Sequence, residues 1–239
     1  MKSLLLISLI AITTFSCNVK MNKRIKGNGN VTTQTRTVDE VTRIKVRGGI
    51  NVELVPGTST SVRVEADENL QRYIITDNED GWLVVKTRDH VNLKSDNPIK
   101  VYVSADMINT INIAGSGNVQ GKGKFTGANK LEIDVAGSGD VNMNVNTPRV
   151  IVDIAGSGNV ILSGETKDAR INIAGSGNYD AEELMTETTD IDIAGSGDAK
   201  VHADVSLKAD VFGSGNIYYR GKANVRTNST GSGKVKSMD

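Results

Sequence analysis

The chain has 239 residues, and its 28 basic side chains balance its 28 acidic ones, so nothing favours a general attraction to nucleic acid. Aromatic residues make up only 4% while Gly numbers 25, which fits many tight turns joining small-residue strands and excludes a thick core anchored on rings. The length admits one large β domain or two small ones.

The first segment reads as a targeting signal. Lys2 supplies a positive start, and Leu4 to Phe15 is an apolar run too short to span a bilayer as a mature helix. Small Ser16 precedes Cys17, the one cysteine of the chain, and Thr14-Phe15-Ser16-Cys17 resembles a loose lipobox. A lone cysteine has no internal disulfide partner, which suits an attachment point. The pattern predicts a bacterial lipoprotein with a signal peptide over residues 1–16. Cys17 is then the lipidated residue, and residues 17–26 form a polar, mildly basic tether. More than one acyl chain would hold the protein stably at a membrane surface. A plain secretory peptide with an incidental cysteine is the alternative. Later apolar stretches are short and alternating, so no transmembrane helix is expected.

Residues 27–109 alternate apolar and polar side chains without a strict repeat. Val41 to Arg47, Ile50 to Leu54, Val62 to Glu65, Leu83 to Val85 and Ile99 to Val103 read as half-buried strands. Gly48-Gly49, Pro56-Gly57 and Asn78 to Gly81 supply the breaks. Only Glu68 to Ile75 could make a helical turn or two, so the class is all-β.

Residues 110–236 keep a regular beat. Gly-Ser-Gly begins at Gly115, Gly137, Gly156, Gly175, Gly195, Gly213 and Gly231, with spacings of 22, 19, 19, 20, 18 and 18 residues. The first five copies each follow an alternating run such as Ile171-Asn172-Ile173-Ala174. A period near 20 means one supersecondary unit stacked repeatedly, a right-handed parallel β-helix-like solenoid of about seven coils. Gly-Ser-Gly allows a bend with positive φ that β-branched residues resist.

Three columns follow from that register. The inward ones are aliphatic, Ile113 to Val211 before the bend and Val119 to Val235 after it. A second column, Asn118, Asp140, Asn159, Asn178, Asp198, Asn216 and finally Lys234, reads as a ladder of turn residues whose amides bond along the stack. The third is the outward residue between paired aliphatics: Asn112, Asp134, Asp153, Asn172, Asp192 and Asp210. Its four carboxylates repel at one-coil spacing, and a cation or nearby Lys and Arg would relieve them. It is therefore either a solvated surface column or a weak cation or ligand site.

Familiar catalytic patterns fail. Calcium-binding nonapeptides repeat near every 9 residues rather than 20. No repeat contains the Gly-x-Ser-x-Gly nucleophile elbow, and a dinucleotide fingerprint lacks its helix. His90 and His202 have no paired metal-ligand spacing. No cofactor is implied. A carbohydrate-active enzyme using Asp134 and Asp153 stays open as an alternative, although sugar clefts usually add aromatic platforms and Trp82 is the one tryptophan.

Gly27-Asn28-Gly29-Asn30-Val31, the run Thr32 to Val38 and Gly48-Gly49-Ile50-Asn51-Val52-Glu53-Leu54 closely resemble the bacterial family called putative auto-transporter adhesin, head GIN domain. Gly49, Ile50 and Asn51 would be its signature tripeptide, and the Gly-Ser-Gly repeats fit it too, over residues 27–236 as one domain. The resemblance implies a right-handed β-helix-like domain in secreted or lipid-anchored proteins, common in Bacteroidota, and brings no established catalytic residues. Surface-displayed lipoproteins of that phylum often carry acidic residues just after the lipidated cysteine. Asn18 to Lys23 has none, which favours the periplasmic side of the outer membrane over the cell surface. The expected function is a non-enzymatic, lipid-anchored envelope module that touches the membrane through its anchor and binds an envelope polysaccharide or protein partner, not nucleic acid. A purely structural envelope spacer is the other alternative.

Overall fold

A computed structural model describes residues 23–238. The signal peptide and Cys17 lie outside the described residues. Two strands come first, β1 (Lys23–Lys26) and β2 (Val31–Arg36), then the first coil, β3 (Arg43–Gly48) and β4 (Asn51–Pro56). An excursion follows: β5 (Ser61–Asp67), a 3₁₀ turn (Glu68–Tyr73), β6 (Ile74–Glu79), β7 (Trp82–Thr87), β8 (Val91–Lys94) and β9 (Lys100–Ala105). The regular stack begins with β10 (Thr110–Gly115), β11 (Val119–Phe125), β12 (Leu131–Gly137), β13 (Val141–Gly156) and β14 (Asn159–Gly175). It continues through β15 (Asn178–Gly195), β16 (Ala199–His202), β17 (Ser206–Gly213), β18 (Ile217–Arg220), β19 (Asn224–Gly231) and β20 (Val235–Ser237).

The strands stack as a parallel β-solenoid with two main faces. The face before each Gly-Ser-Gly corner runs β7, β3, β10, β12, β13, β14, β15, β17, β19. The face after it runs β9, β4, β11, β13, β14, β15, β16, β18, β20. β13, β14 and β15 belong to both, because they continue as strand through the second bend of the coil. The segment that joins one copy to the next is thus itself paired there, Thr147 with Thr166 and Arg149 with Asp168. Parallel stacking follows from the pattern: each inward aliphatic lies one strand from its equivalent, so a thin chain builds a continuous core. Ile113, Val135, Ile154, Ile173, Ile193 and Val211 are all buried, as are Val119, Val141, Val160, Tyr179, Ala199 and Ile217.

The excursion closes the N-terminal end. β5 lies antiparallel to both β9 and β2, and β6 antiparallel to β7. The buried Asp67 carboxylate ties this cap together, accepting hydrogen bonds from Ser95 Oγ at 2.6 Å and Asn97 Nδ2 at 2.9 Å. Those bonds, Ser95's above all, hold its carboxyl below the usual carboxylate range. At the other end, Thr227 and Ser229 occupy the register positions of Ala209 and Val211. Exposed polar side chains thus replace buried aliphatic ones at these positions of β19.

Two expectations change. Residues 23–26 are not tether: β1 pairs in parallel with β8, Ile25 opposite Leu93. Ile25 and Leu93 are each half-buried, so the pairing shelters apolar surface that a solvated tether would expose. The N-terminal half also contributes a corner of its own, in register with the seven that the repeat announces. Gly48 pairs with Gly115, and the two strands keep register from Arg43 opposite Thr110 onward.

Candidate functional site

The corner explains the repeated tripeptide. The first glycine of each copy has φ between +123° and +142°. A Cβ on Gly137 would lie 2.3 Å from the carbonyl oxygen of Gly115, because the previous coil passes directly beneath. That carbonyl accepts the backbone N–H of the next serine, Ser138 to Gly115 at 2.8 Å and Ser157 to Gly137 at 2.8 Å. The serine side chains are all exposed. They stand on a corner held by backbone hydrogen bonds to the preceding coil.

In register, Gly48-Gly49-Ile50-Asn51 stands where later coils carry Gly-Ser-Gly-Asn, since Gly48 aligns with Gly115 and Val52 with Val119. Asn51 begins the amide ladder, its Oδ1 accepting the backbone N–H of Asn118 at 3.2 Å. Asn118 Oδ1 then accepts Asp140 N at 2.9 Å, and Asp140 Oδ1 accepts Asn159 Nδ2 at 2.8 Å. Asn159 Oδ1 accepts Asn178 Nδ2 at 2.9 Å, and Asp198 Oδ1 accepts Asn216 Nδ2 at 3.0 Å. Asn51 is thus the first rung of a structural column.

The outward column is contiguous. Asn112, Asp134, Asp153, Asn172, Asp192 and Asp210 are successive register partners, flanked by Lys45 before and Asn228 after. Asn172 Nδ2 donates to Asp153 Oδ1 at 2.6 Å. Burial raises the Asp134 pKa, a hydrogen bond from Asn112 opposes that, and the charges of Asp153 and Glu132 add to the rise. Lys208 Nζ relieves the far end, 3.1 Å from Asp210, 3.8 Å from Asp192 and 3.0 Å from Asp190. Interleaved amides and one ammonium thus offset the repulsion. Among the described residues no group of three or more His, Cys, Asp or Glu is arranged to hold a metal ion.

Beside this column lies a feature the repeat pattern did not announce. A cavity of about 840 Å³ is bounded by Trp82, Arg43, Glu132, Asp134, Arg149 and Lys167, among others. A second, of about 480 Å³, shares Arg149 and Asp168 with it and extends to Arg170, Asp190 and Lys208. Together they form one groove along the second bend of the coil. It runs from β7 to β17 across seven strand-to-strand steps, roughly 34 Å at ~4.8 Å each. A buried threonine column, Thr147, Thr166 and Thr186, forms the inner side of that bend. Thr147 Oγ1 donates to the Ala128 carbonyl at 2.9 Å, and Thr186 Oγ1 bonds Thr189 Oγ1 at 2.7 Å. Trp82 stands at one end of the groove, with the Arg43 guanidinium 5.0 Å and the Lys45 ammonium 4.5 Å from its ring centre. Sequence alone separated Trp82 from Arg43 by an excursion, so only the β3–β7 pairing brings them together.

The model of the family described as putative auto-transporter adhesin, head GIN domain, matches residues 40–223. The chain belongs to that family. No curated protein matches it. Among solved structures, this head GIN domain resembles a putative adhesin from Bacteroides fragilis, with 22% identity and a TM-score of 0.83 over 90% of this chain and all of that one. At that identity the likeness speaks for the fold. A putative lipid binding protein from Parabacteroides distasonis shares 26% identity with a TM-score of 0.77, covering 91% of this chain and 100% of its own. A putative adhesin from the same organism shares 25% identity with a TM-score of 0.74, covering 90% and 100%.

Proposed function

We propose that this head GIN domain is a non-catalytic envelope module that holds a polymer or partner protein along its repetitive polar side, anchored to the outer membrane through Cys17 on the periplasmic face. The groove carries this reading: it crosses one strand after another from β7 to β17, so weak contacts at successive coils add along an extended ligand. The family and the adhesin-described neighbour from Parabacteroides distasonis support binding as the role. The lipid-binding description of the third neighbour transfers less well, because charged side chains such as Arg43, Glu132, Arg149, Lys167 and Lys208 line the groove beside its apolar surface. β1, the first described strand, begins six residues after Cys17, so a lipidated Cys17 holds it within roughly 20 Å of the bilayer.

The test is co-sedimentation of the full chain with isolated envelope polysaccharide and with peptidoglycan sacculi, alongside assays for reducing-end release. Retention without turnover is the expected result. Glycan cleavage that disappears in Asp153→Asn would transfer the role to the carbohydrate-active alternative. Neither retention nor cleavage would leave a structural spacer. Membrane release of Cys17→Ala, together with protection of the wild type from protease added to intact cells, is expected for the anchor and its side.

A further inference from the structure

The charge balance inside the groove differs from that of the whole chain. Glu132 is paired with Lys130 at 2.5 Å, Asp168 with Arg149 at 3.6 Å and Asp190 with Lys208 at 3.0 Å. Arg43, Lys167 and Arg170 also line it, and none of the three has a carboxylate within ion-pair distance among the described residues. Arg43 spends Nε and one Nη on the carbonyls of Gly81 and Asp80, at 3.2 Å and 2.8 Å, which fixes the guanidinium over Trp82 without neutralising it. On the acidic side Asp134 alone lacks a cationic partner, so the unpaired charge of the groove is net positive. Three uncompensated cations, spaced along a groove with an aromatic ring at its end, favour an anionic ligand.

We propose that the groove takes a linear acidic glycan, laid along the coil axis with a sugar ring at Trp82 and its carboxylates or sulfates against Arg43, Lys167 and Arg170. This rests on the polymer-binding reading above and names its ligand class. A single-stranded nucleic acid is a poorer fit, because successive bases need successive aromatic platforms and the groove offers only Trp82. A neutral glycan would leave the three cations unmatched.

Trp82 is the one tryptophan, so intrinsic fluorescence of the full chain reports this end of the groove alone. The probes are oligogalacturonate and heparin oligosaccharide, with dextran, oligo-dT and polyglutamate as comparisons, titrated at low and at high NaCl and repeated calorimetrically. The expected result is saturable binding of at least one acidic glycan that weakens with salt. The double variant Lys167→Ala/Arg170→Ala, at two exposed positions that leave the core untouched, should weaken it about tenfold or more. Trp82→Phe should weaken it severalfold in the calorimeter. Equal binding of dextran, oligo-dT or polyglutamate overturns the acidic-glycan assignment, as does no binding of either acidic probe. If an envelope polymer is retained equally by wild type and the groove variants, the polymer reading stands and this groove is not its site. If the wild type retains no polymer at all, both fail together.

Discussion

The first corner of the solenoid and the seven that follow have the same backbone register but different side chains. Later corners need glycine at the third position. A Cβ on Gly158 would meet the Gly139 carbonyl oxygen at 2.2 Å and Val135 Cγ1 at 2.7 Å. At the first corner the equivalent residue is Ile50, buried in the core. The difference lies in what is beneath. β7, the strand under β3, pairs with it only over Ile44 to Val46, and among the described residues no glycine corner is stacked below Ile50. A position that must be empty inside the stack becomes one that must be filled at its end. Gly49-Ile50-Asn51 is the end-cap version of the repeat, legible as such only in register.

Substitutions at these two corners break or sharpen that contrast, and the largest effect belongs inside the stack. Gly158→Ala should cost about 3 kcal/mol in denaturant unfolding, because the obstructing atoms are backbone of the neighbouring coil and cannot swing away. Wild-type stability in that variant would sink the close-approach argument. In the cap, Asp67→Ala should cost about 2 kcal/mol by orphaning Ser95 and Asn97. The sign with pH is set by its lowered pKa: the Asp67 contribution is present above the ordinary carboxylate value and is lost as pH falls through the lowered one. Ile50→Val should cost about 1 kcal/mol, the usual result of removing one buried methylene. A loss as large as that of Gly158→Ala would mean that the first corner is as constrained as the others.

The smallest effect has the opposite sign. Asp134 has a raised pKa in the fold, so the native state keeps a proton that the unfolded chain releases. Stability from this group is therefore present below the ordinary carboxylate pKa and falls as pH rises through the raised value. Asp134→Asn, which copies Asn112 and Asn172, should stabilise the protein by roughly 0.5 kcal/mol at neutral pH, with the gain vanishing in acid. Thermal melts at two pH values decide it.

How much was legible in the sequence differs from column to column. The aliphatic positions and the amide ladder could be read directly, because a strand alternates its side chains and a fixed period repeats the same environment. Tyr179 at an inward position and Asn178 in the ladder both sit where the spacing places them. The 3₁₀ turn at Glu68–Tyr73 also falls within the one stretch that reads as helical. β1 was not legible, since Lys23 to Lys26 is strongly polar and pairs only because β8 offers it an edge. The groove was not legible either. Its walls come from linkers of unequal length, which carry no common motif, and its tryptophan comes from the excursion.

Local alternation and the twenty-residue period determined that this chain is a stack of parallel coils, because each inward residue needs only its nearest equivalents to be buried. Which residues share an end, a corner or a groove was decided by the tertiary structure alone. The 66 residues between Gly48 and Gly115 bring the chain back to the same column, and nothing in their local pattern encodes that return. Contacts across such an interval depend on where the excursion's strands find unpaired edges, a property of the assembled sheet.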